Sequence, residues 1–495
     1  MASLISRQLR RAAAKATAES ETAAMAAAAG AAAAAAVVGD KAGATLEARV
    51  ARRRAGVETA IEAAQYHAAL PTFIAQLLAG VGETWAPLAA AKLVAPADGG
   101  EAAEEDAAGL RLWGPWGLAL GAALHWALAG RWGRRRTLLL IPVMSAVNAV
   151  QSYSLGGVRV AAVLWGACSG VGLTTGYVYL AEIAGAGLRG RLCCTALAFH
   201  SLGRLYVRAL GPALSVDTLG LLALPFALLA GLLILYAPDT PYHHAYHRRP
   251  AHMLLALAEL RADDTLAPYV RAEAVALRDR VEAERASGVP GLTRGSALVL
   301  VLVGGIPLSG VTLSNANPTL FCGPLPGSSA ASFALAAVVV QLGAQLMAAA
   351  VVDSCGRRPL LLVGCGAVAV ASAILVVLQT VAVPPWALVV LQQAHGAAIY
   401  LGPGTVAFVH LGELLPMCAA GAVPAAAALL FAALHAAMQA LALTPLAICV
   451  VSAAWASALA AATVRELLPE TKGLSLHSPQ LIFARPRRPS RVLHL

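Results

Sequence analysis

Apolar residues in this chain fall in blocks of roughly helix-spanning length, with charge concentrated in the gaps between them. About 20 apolar residues in a helix cross the hydrocarbon core of a bilayer. The pattern predicts twelve such segments, near 66–94, 112–130, 137–155, 158–182, 192–211, 217–237, 296–320, 329–351, 359–382, 385–410, 417–441 and 443–465. Most contain Gly and other small residues, which let membrane helices approach closely. Between the sixth and seventh lie two stretches with helical spacing and charged faces, "AHMLLALAELRADD" and "PYVRAEAVALRDRVEAER". These predict helices in water. The plan is therefore an all-α membrane protein of two six-helix bundles, 66–237 and 296–465, separated by a helical insert, 238–295, and flanked by tails, 1–65 and 466–495.

The gaps orient the plan. The first holds Asp98, Glu101, Glu104, Glu105 and Asp106 with no Lys or Arg. The second reads "GRWGRRR", the fourth "GLRGR" and the eighth "DSCGRRP", and the insert is rich in charge. Lys and Arg thus favour the even gaps and both tails, which places those in the cytosol. The N-terminal tail is Ala-rich and basic, with no acid in its first 18 residues. That feature is shared with mitochondrial transit peptides, but a disordered cytosolic tail is the reading taken.

Composition sharpens the class. Of 495 residues, 59% are hydrophobic and 13% charged, against about 25% charged in a soluble domain. The net charge of +10 has its explanation in the basic gaps rather than in nucleic-acid binding. The 8 cysteines are scattered, mostly in apolar segments, without metal-ligand spacing. They read as reduced packing residues. There is no Walker motif and no Gly-rich phosphate loop. No enzyme chemistry, cofactor or metal site is indicated. The partner implied is the lipid bilayer, and the chain is read as a monomer.

The chain repeats itself. "GRWGRRRTLLL" (130–140) and "DSCGRRPLLL" (353–362) each follow the second segment of a half. "YLAEIAGAGLRG" (179–190) and "HLGELLPMCAAG" (410–421) each follow the fourth. Each half so carries a basic cluster (Arg134 and Arg135; Arg357 and Arg358, with Asp353) and, one helix pair later, a helix-end Glu, Glu182 or Glu413. Arg189 follows Glu182. Arg pairs bidentately with carboxylates. Two readings stand: solvated surface pairs, or a latch that joins helix ends in one conformation and releases them in another.

Inside the membrane, polar residues mark a path or a structural pair. Glu83 lies in the first segment. His200, Arg204 and Arg208 are spaced by four in the fifth and share a face. Gln341 and Gln345 share a face of the eighth. Glu83 is expected to pair with one of these arginines, Arg208 to snorkel to the outer interface, Gln345 to bond a neighbouring helix, and Thr312 to bond its own helix or a solute.

Taken together these motifs resemble the sugar-porter branch of the major facilitator superfamily, and most nearly the insect facilitated trehalose transporters. The resemblance rests on "GRR" at 133–135, "DSCGRR" at 353–358, "VYLAEIAGAGLRG", "APDTPYHHAYHRR", "GELLP" at 412–416, "TWAPLAAAKL" at 84–93 and "PETKG" at 469–473. It implies a carrier working by alternating access at the plasma membrane, with both termini cytosolic. It makes Gln341, Thr312 and Phe408 solute-binding positions, beside which His200 and Arg204 stand as candidates from their place in the membrane. It assigns the latch to Arg134, Arg135, Glu182, Arg189, Asp353, Arg357, Arg358 and Glu413. Several positions depart from the branch. Gly130 replaces an acid, Ala420 and Tyr242 replace arginines, and Phe408 replaces a Trp. Ile306-Pro307 stands where the branch has a Gln-Gln pair, and Thr312 where it has Asn. Proton-coupled members carry an acid in helix one near an Arg in helix four. Glu83 is one residue off, and the helix-four position is Ala162, with Arg159 a turn away. The reading is facilitated diffusion of a small polar solute, a sugar of trehalose or hexose type. The alternatives are a transport-dead receptor or scaffold, a carrier of an anionic solute, and a proton symporter.

Overall fold

The computed structural model describes residues 41–94, 101–151, 157–287, 293–317, 320–321, 327–381, 383–415, 419–441, 443–465 and 468–473. The outer parts of both tails, 1–40 and 474–495, lie outside the described residues. Two compact units form: one of the described residues up to Leu70 with Pro238–Ala286, the other of Pro71–Ala237 with Ser287–Leu495.

The smaller unit contains α9 (Pro241–Tyr246), α10 (Pro250–Leu260) and α11 (Pro268–Ser287). α9 and α10 have Pro in the first turn, where its missing N–H costs nothing. Met253, Leu257 and Leu260 of α10 and Val270, Leu277 and Val281 of α11 are buried, each set at helical spacing. Arg261 pairs bidentately with Glu273. Both stretches expected to be helical are helices here.

Among its described residues the larger unit holds twelve helical segments in chain order. The first half comprises α1 (Lys41–Val94), which contributes to both units, α2 (Glu101–Trp132), α3 with α4 (Arg134–Leu138, Leu140–Gln151), α5 with α6 (Gly157–Val171, Tyr177–Ile183), α7 (Arg189–Leu210) and α8 (Val216–Tyr236). The second comprises α12 with α13 (Arg294–Gly304, Val311–Ala316), α14 (Gly327–Cys355), α15 (Arg357–Thr380), α16 with α17 (Pro385–Leu401, Pro403–Glu413), α18 (Ala422–Ala440) and α19 (Pro445–Val464). Among the described residues, six helical runs are long and apolar enough to cross a membrane by length and composition: 157–183, 216–236, 331–355, 357–380, 422–440 and 445–464. The others are broken or carry charge, as α7 does with His200, Arg204 and Arg208.

Small residues decide which helices meet. Gly117 and Gly121 of α2 interlock with Gly166 and Gly170 of α5. A Cβ at any of the four would run into a carbonyl of the facing helix. Gly80 of α1 and Gly203 of α7 lock the same way. The halves join where α7 packs on α14 and α2 on α18. On α15, Leu361, Val368 and Leu375 are buried while Val363, Val370 and Val377 are exposed, so an apolar face is left for lipid.

Two features differ from the sequence expectation. Residues 41–65 are helical and continuous with the first segment, not disordered. This stretch is Ala-rich with Glu and Arg and has no Pro, which favours helix. The second difference is that three segments are interrupted. A π-turn, Gly172–Gly176, joins α5 to α6. Pro307 sits in a 3₁₀ turn, Ile306–Ser309, and Gly310 takes φ 75° between α12 and α13. Gly402 breaks the chain between α16 and α17. Such breaks are tolerated at membrane depth where the backbone is shielded or lines a cavity.

Candidate functional site

All three interruptions border one cavity. It has a volume of about 100 Å³, is partly open, and its walls come from both halves. Leu173 of the π-turn, Ile306 and Val311 beside the 3₁₀ break, and Gly404 after the third break all line it. Its other walls include Gly82, Glu83, Thr84, Ala86 and Pro87 of α1, Arg111, Gly114, Pro115 and Leu118 of α2, and Phe431, His435 and Gln439 of α18. In α1 and α2 these lie near the acidic first gap, so the cavity sits away from the basic gaps. Phe408 is on the wall and stacks on Tyr177 across the halves, with ring centroids 4.7 Å apart.

Glu83 offers 35% of its side chain to the cavity, and its Oε2 meets His200 Nε2 at 2.6 Å. His200, not an arginine, is therefore its partner. Arg204 is buried and donates to Ser201 Oγ (2.7 Å) and to Tyr400 Oη (3.2 Å), with its guanidinium over the Tyr400 ring. Arg208 donates to the Asn315 carbonyl. Gln341 stands behind the wall. It donates to Asn315 Oδ1 at 3.1 Å, and Asn315 donates to Tyr400 Oη at 3.3 Å. Thr312 lines the cavity, and its hydroxyl has no partner among the described residues. The same is true of both amide atoms of buried Gln345, so the bond expected to a neighbouring helix is not formed there.

The basic gaps meet at the other end. Gly133 (φ 91°) and Gly356 (φ 98°) turn the chain in a conformation that disfavours any side chain. Each delivers an Arg to a buried Glu: Arg134 to Glu182 at 2.9 Å and Arg357 to Glu413 at 2.8 Å. Arg357 also pairs with Asp353 at 2.8 Å. The halves are tied by Arg189 to Glu413 at 3.6 Å and by the Arg191 N–H to Asp353 at 2.7 Å. His125 bonds the Ala420 carbonyl at 3.1 Å, at the position that lacks its arginine. Gly412 of α17 abuts Ala181 of α6 so closely that a Cβ would clash. Arg135 donates to the Ala237 carbonyl and Arg358 to the Thr463 carbonyl, both at 2.9 Å. These are buried pairs rather than solvated ones, and breaking one leaves an uncompensated charge.

The pentapeptide after the last segment belongs to this lattice. Glu470 accepts from the Arg357 and Arg358 N–H groups, at 3.1 and 3.0 Å, and caps the start of α15. Thr471 donates to Glu413 at 2.5 Å. Burial would raise the Glu470 carboxyl, but the N–H groups of Arg358, Lys472 and Arg357 and the Arg357 charge hold it below the ordinary carboxylate range.

Residues 115–483 match the family described as "Sugar (and other) transporter". The chain belongs to that family. The chain is 28% identical over 331 residues to the human protein named solute carrier family 2, facilitated glucose transporter member 5, covering 61% of this chain and 65% of that one. It is 28% identical over 329 residues to facilitated glucose transporter member 12 of Danio rerio, covering 63% of this chain and 52% of the relative. The chain thus spans less than two thirds of the length of these relatives. Its fold is that of the major facilitator superfamily proton:xylose symporter XylE bound to 6-bromo-6-deoxy-D-glucose, with TM-score 0.75 at 18% identity, over 85% of this chain and 99% of that one. Against the inward-open conformation of XylE from E. coli the TM-score is 0.61, at 18% identity and over 84% and 99% of the two chains. The family and the apolar helices make this a multi-pass membrane protein of the major facilitator fold and not an enzyme.

Of the residues nominated from the sequence, Glu83, His200, Thr312 and Phe408 reach the cavity wall, while Arg204 and Gln341 support it from behind. Sequence reasoning passed over Asn315, Tyr400, His435 and Gln439, which also line it. Two signals were available. His435 and Gln439 are spaced by four in an otherwise apolar helix, and Tyr400 directly precedes the Leu401-Gly402-Pro403 break.

Proposed function

We propose that this chain carries a small polyhydroxy solute of sugar type across the plasma membrane by alternating access and facilitated diffusion. The observation that supports it most is the two-ended arrangement: a mostly apolar cavity with a few polar groups, shared by both halves, and at the far end an ion-pair lattice that joins the halves through Glu413 and Asp353. With the basic gaps and both termini in the cytosol, the described state is closed inside and faces outward. Solute entering beside Glu83, Thr312, Asn315 and Tyr400 would reach the cytosol only when the lattice opens. The polar groups replace, from α18 and α16, part of the hydrogen bonding that Ile306-Pro307 cannot offer. Latch roles for Arg134, Arg189, Arg357 and Glu413 follow from the same reading, with Arg135 and Arg358 holding helix ends.

The test is counterflow in proteoliposomes loaded with trehalose or with a hexose. Exchange that saturates, and that does not accumulate solute above equilibrium when a proton gradient is imposed, supports the reading. Accumulation driven by the gradient would replace facilitated diffusion by symport. Binding without exchange would make the chain a receptor.

A further inference from the structure

The cavity holds more positive charge than its walls neutralise. Arg204 is 2% exposed, and a guanidinium stays protonated. Among the described residues neither Arg204 nor Arg208 has a carboxylate within ion-pair distance. The acid on the cavity wall, Glu83, is engaged by His200. Besides Arg111, which lines the cavity, two guanidinium groups therefore stand beside a single carboxylate at membrane depth, where unpaired charge is costly.

Tyr400 carries that charge to the cavity surface. Its hydroxyl oxygen accepts from Arg204 Nη1 and from Asn315 Nδ2. Two accepted bonds occupy both lone pairs of a phenol oxygen, so the O–H is left to donate. No described residue accepts it, and Tyr400 lines the cavity. A phenol backed by a guanidinium is a strengthened donor. Thr312 adds a hydroxyl without a partner, while Glu83 offers acceptor capacity for hydroxyl groups. Donors backed by surplus cation at one place and one acceptor carboxylate at another do not describe a site for a neutral polyol alone.

We propose that the preferred solute is a monoanionic hydroxy acid, a hexuronate or hexonate, whose carboxylate is taken by the Tyr400 hydroxyl backed by Arg204 and whose hydroxyls are taken by Glu83 and Thr312. This rests on the reading of the cavity as the solute site and names the class of solute. The solute carboxylate is the counter-ion that Arg204 and Arg208 lack.

The purified full chain is titrated with glucuronate, glucose and glucosamine, following tryptophan fluorescence and calorimetry. These share one ring and differ in charge. Glucuronate should bind about tenfold or more tighter than glucose, the worth of one hydrogen bond to a charged group, and glucosamine should bind weakest. In Tyr400→Phe, which keeps ring and volume, the glucuronate-to-glucose ratio should fall to about one. Arg204→Leu should do the same, with size-exclusion behaviour confirming that it folds; if it does not fold, Tyr400→Phe decides. Glucose binding as tightly as glucuronate, no glucuronate binding, or a ratio unchanged in Tyr400→Phe overturns the proposal. Counterflow separates the two readings. Glucose exchange without acid preference leaves the carrier standing and removes the anion site. Acid-selective binding without exchange keeps the anion site and removes the carrier.

Discussion

At Gly133 and Gly356 the backbone turns almost identically, φ 91° with ψ 161° and φ 98° with ψ 164°. Each turn hands an Arg to a Glu at the end of a later helix, at 2.9 and 2.8 Å. Beyond that the two copies part. Arg134 has Glu182 and the carbonyl of Ala129. Arg357 has Glu413 and Asp353, its Glu413 also takes Arg189 from the other half and Thr471 from the terminal strap, and Glu470 caps its helix. The acid four residues before the Arg, Asp353 in one copy, is Gly130 in the other. One local motif has therefore been kept twice, while the load that joins the halves sits on the second copy. A turn fixes where an Arg points; the neighbours decide how much depends on it.

The largest expected effect tests that inequality. Arg357 is fully buried, and its removal strands Glu413 and Asp353. Arg357→Ala should cost about 3–5 kcal/mol of the described state and abolish counterflow, while Arg134→Ala should leave a measurable rate. Equal losses in the two variants, measured with thermal unfolding and surface expression alongside, would erase the distinction between the copies.

Next in size is closure itself. Gly412→Leu places a side chain where Ala181 stands and should stop the basic end from closing. Uptake should fall at least tenfold, a loss of about 1.4 kcal/mol or more, and maleimide labelling of buried Cys193 should rise. Unchanged labelling would place the closing contact elsewhere.

A smaller effect belongs to the strap. Glu470 is held below the ordinary carboxylate range in the folded chain, so its contribution is complete above the unfolded value, about 4, and is lost as pH falls through the lower folded value. At pH 7 Glu470→Gln should destabilise by about 1 kcal/mol, the worth of a helix cap. Below pH 4 the melting temperatures of wild type and variant should converge. Parallel curves across that range would show that the cap contributes nothing.

The smallest effect sharpens the comparison by repairing it. Nothing lies within 4 Å of a Cβ built at Gly130. Gly130→Asp would set an acid four residues before Arg134, as Asp353 stands before Arg357. It should raise stability by up to about 1 kcal/mol and slow exchange slightly. A faster exchange rate would mean that the Gly is not a weakened copy of the acid.

Much of this molecule is local and was readable. The apolar blocks, the repeated Gly-Arg turns and the helix-end Glu residues depend on near neighbours in sequence, and the structure forms helices, turns and Arg–Glu pairs there. The pairing of each Arg with its own Glu was implied by repetition alone. The cavity wall was not readable. Whether Gln341 faces solute or supports Asn315 depends on the rotation of α14 against two other helices, and apolar periodicity is blind to it, because membrane helices are apolar toward lipid and toward each other. The helical stretch 41–65 was missed because Ala and Arg suit a helix and a solvated tail equally. The choice of His200 over an arginine for Glu83 was decided by the Gly80–Gly203 lock, which brings α1 and α7 together. Sequence fixes which groups exist and their spacing along one helix; only packing between helices, set by where Gly lets backbones touch, decides which of them face the same space.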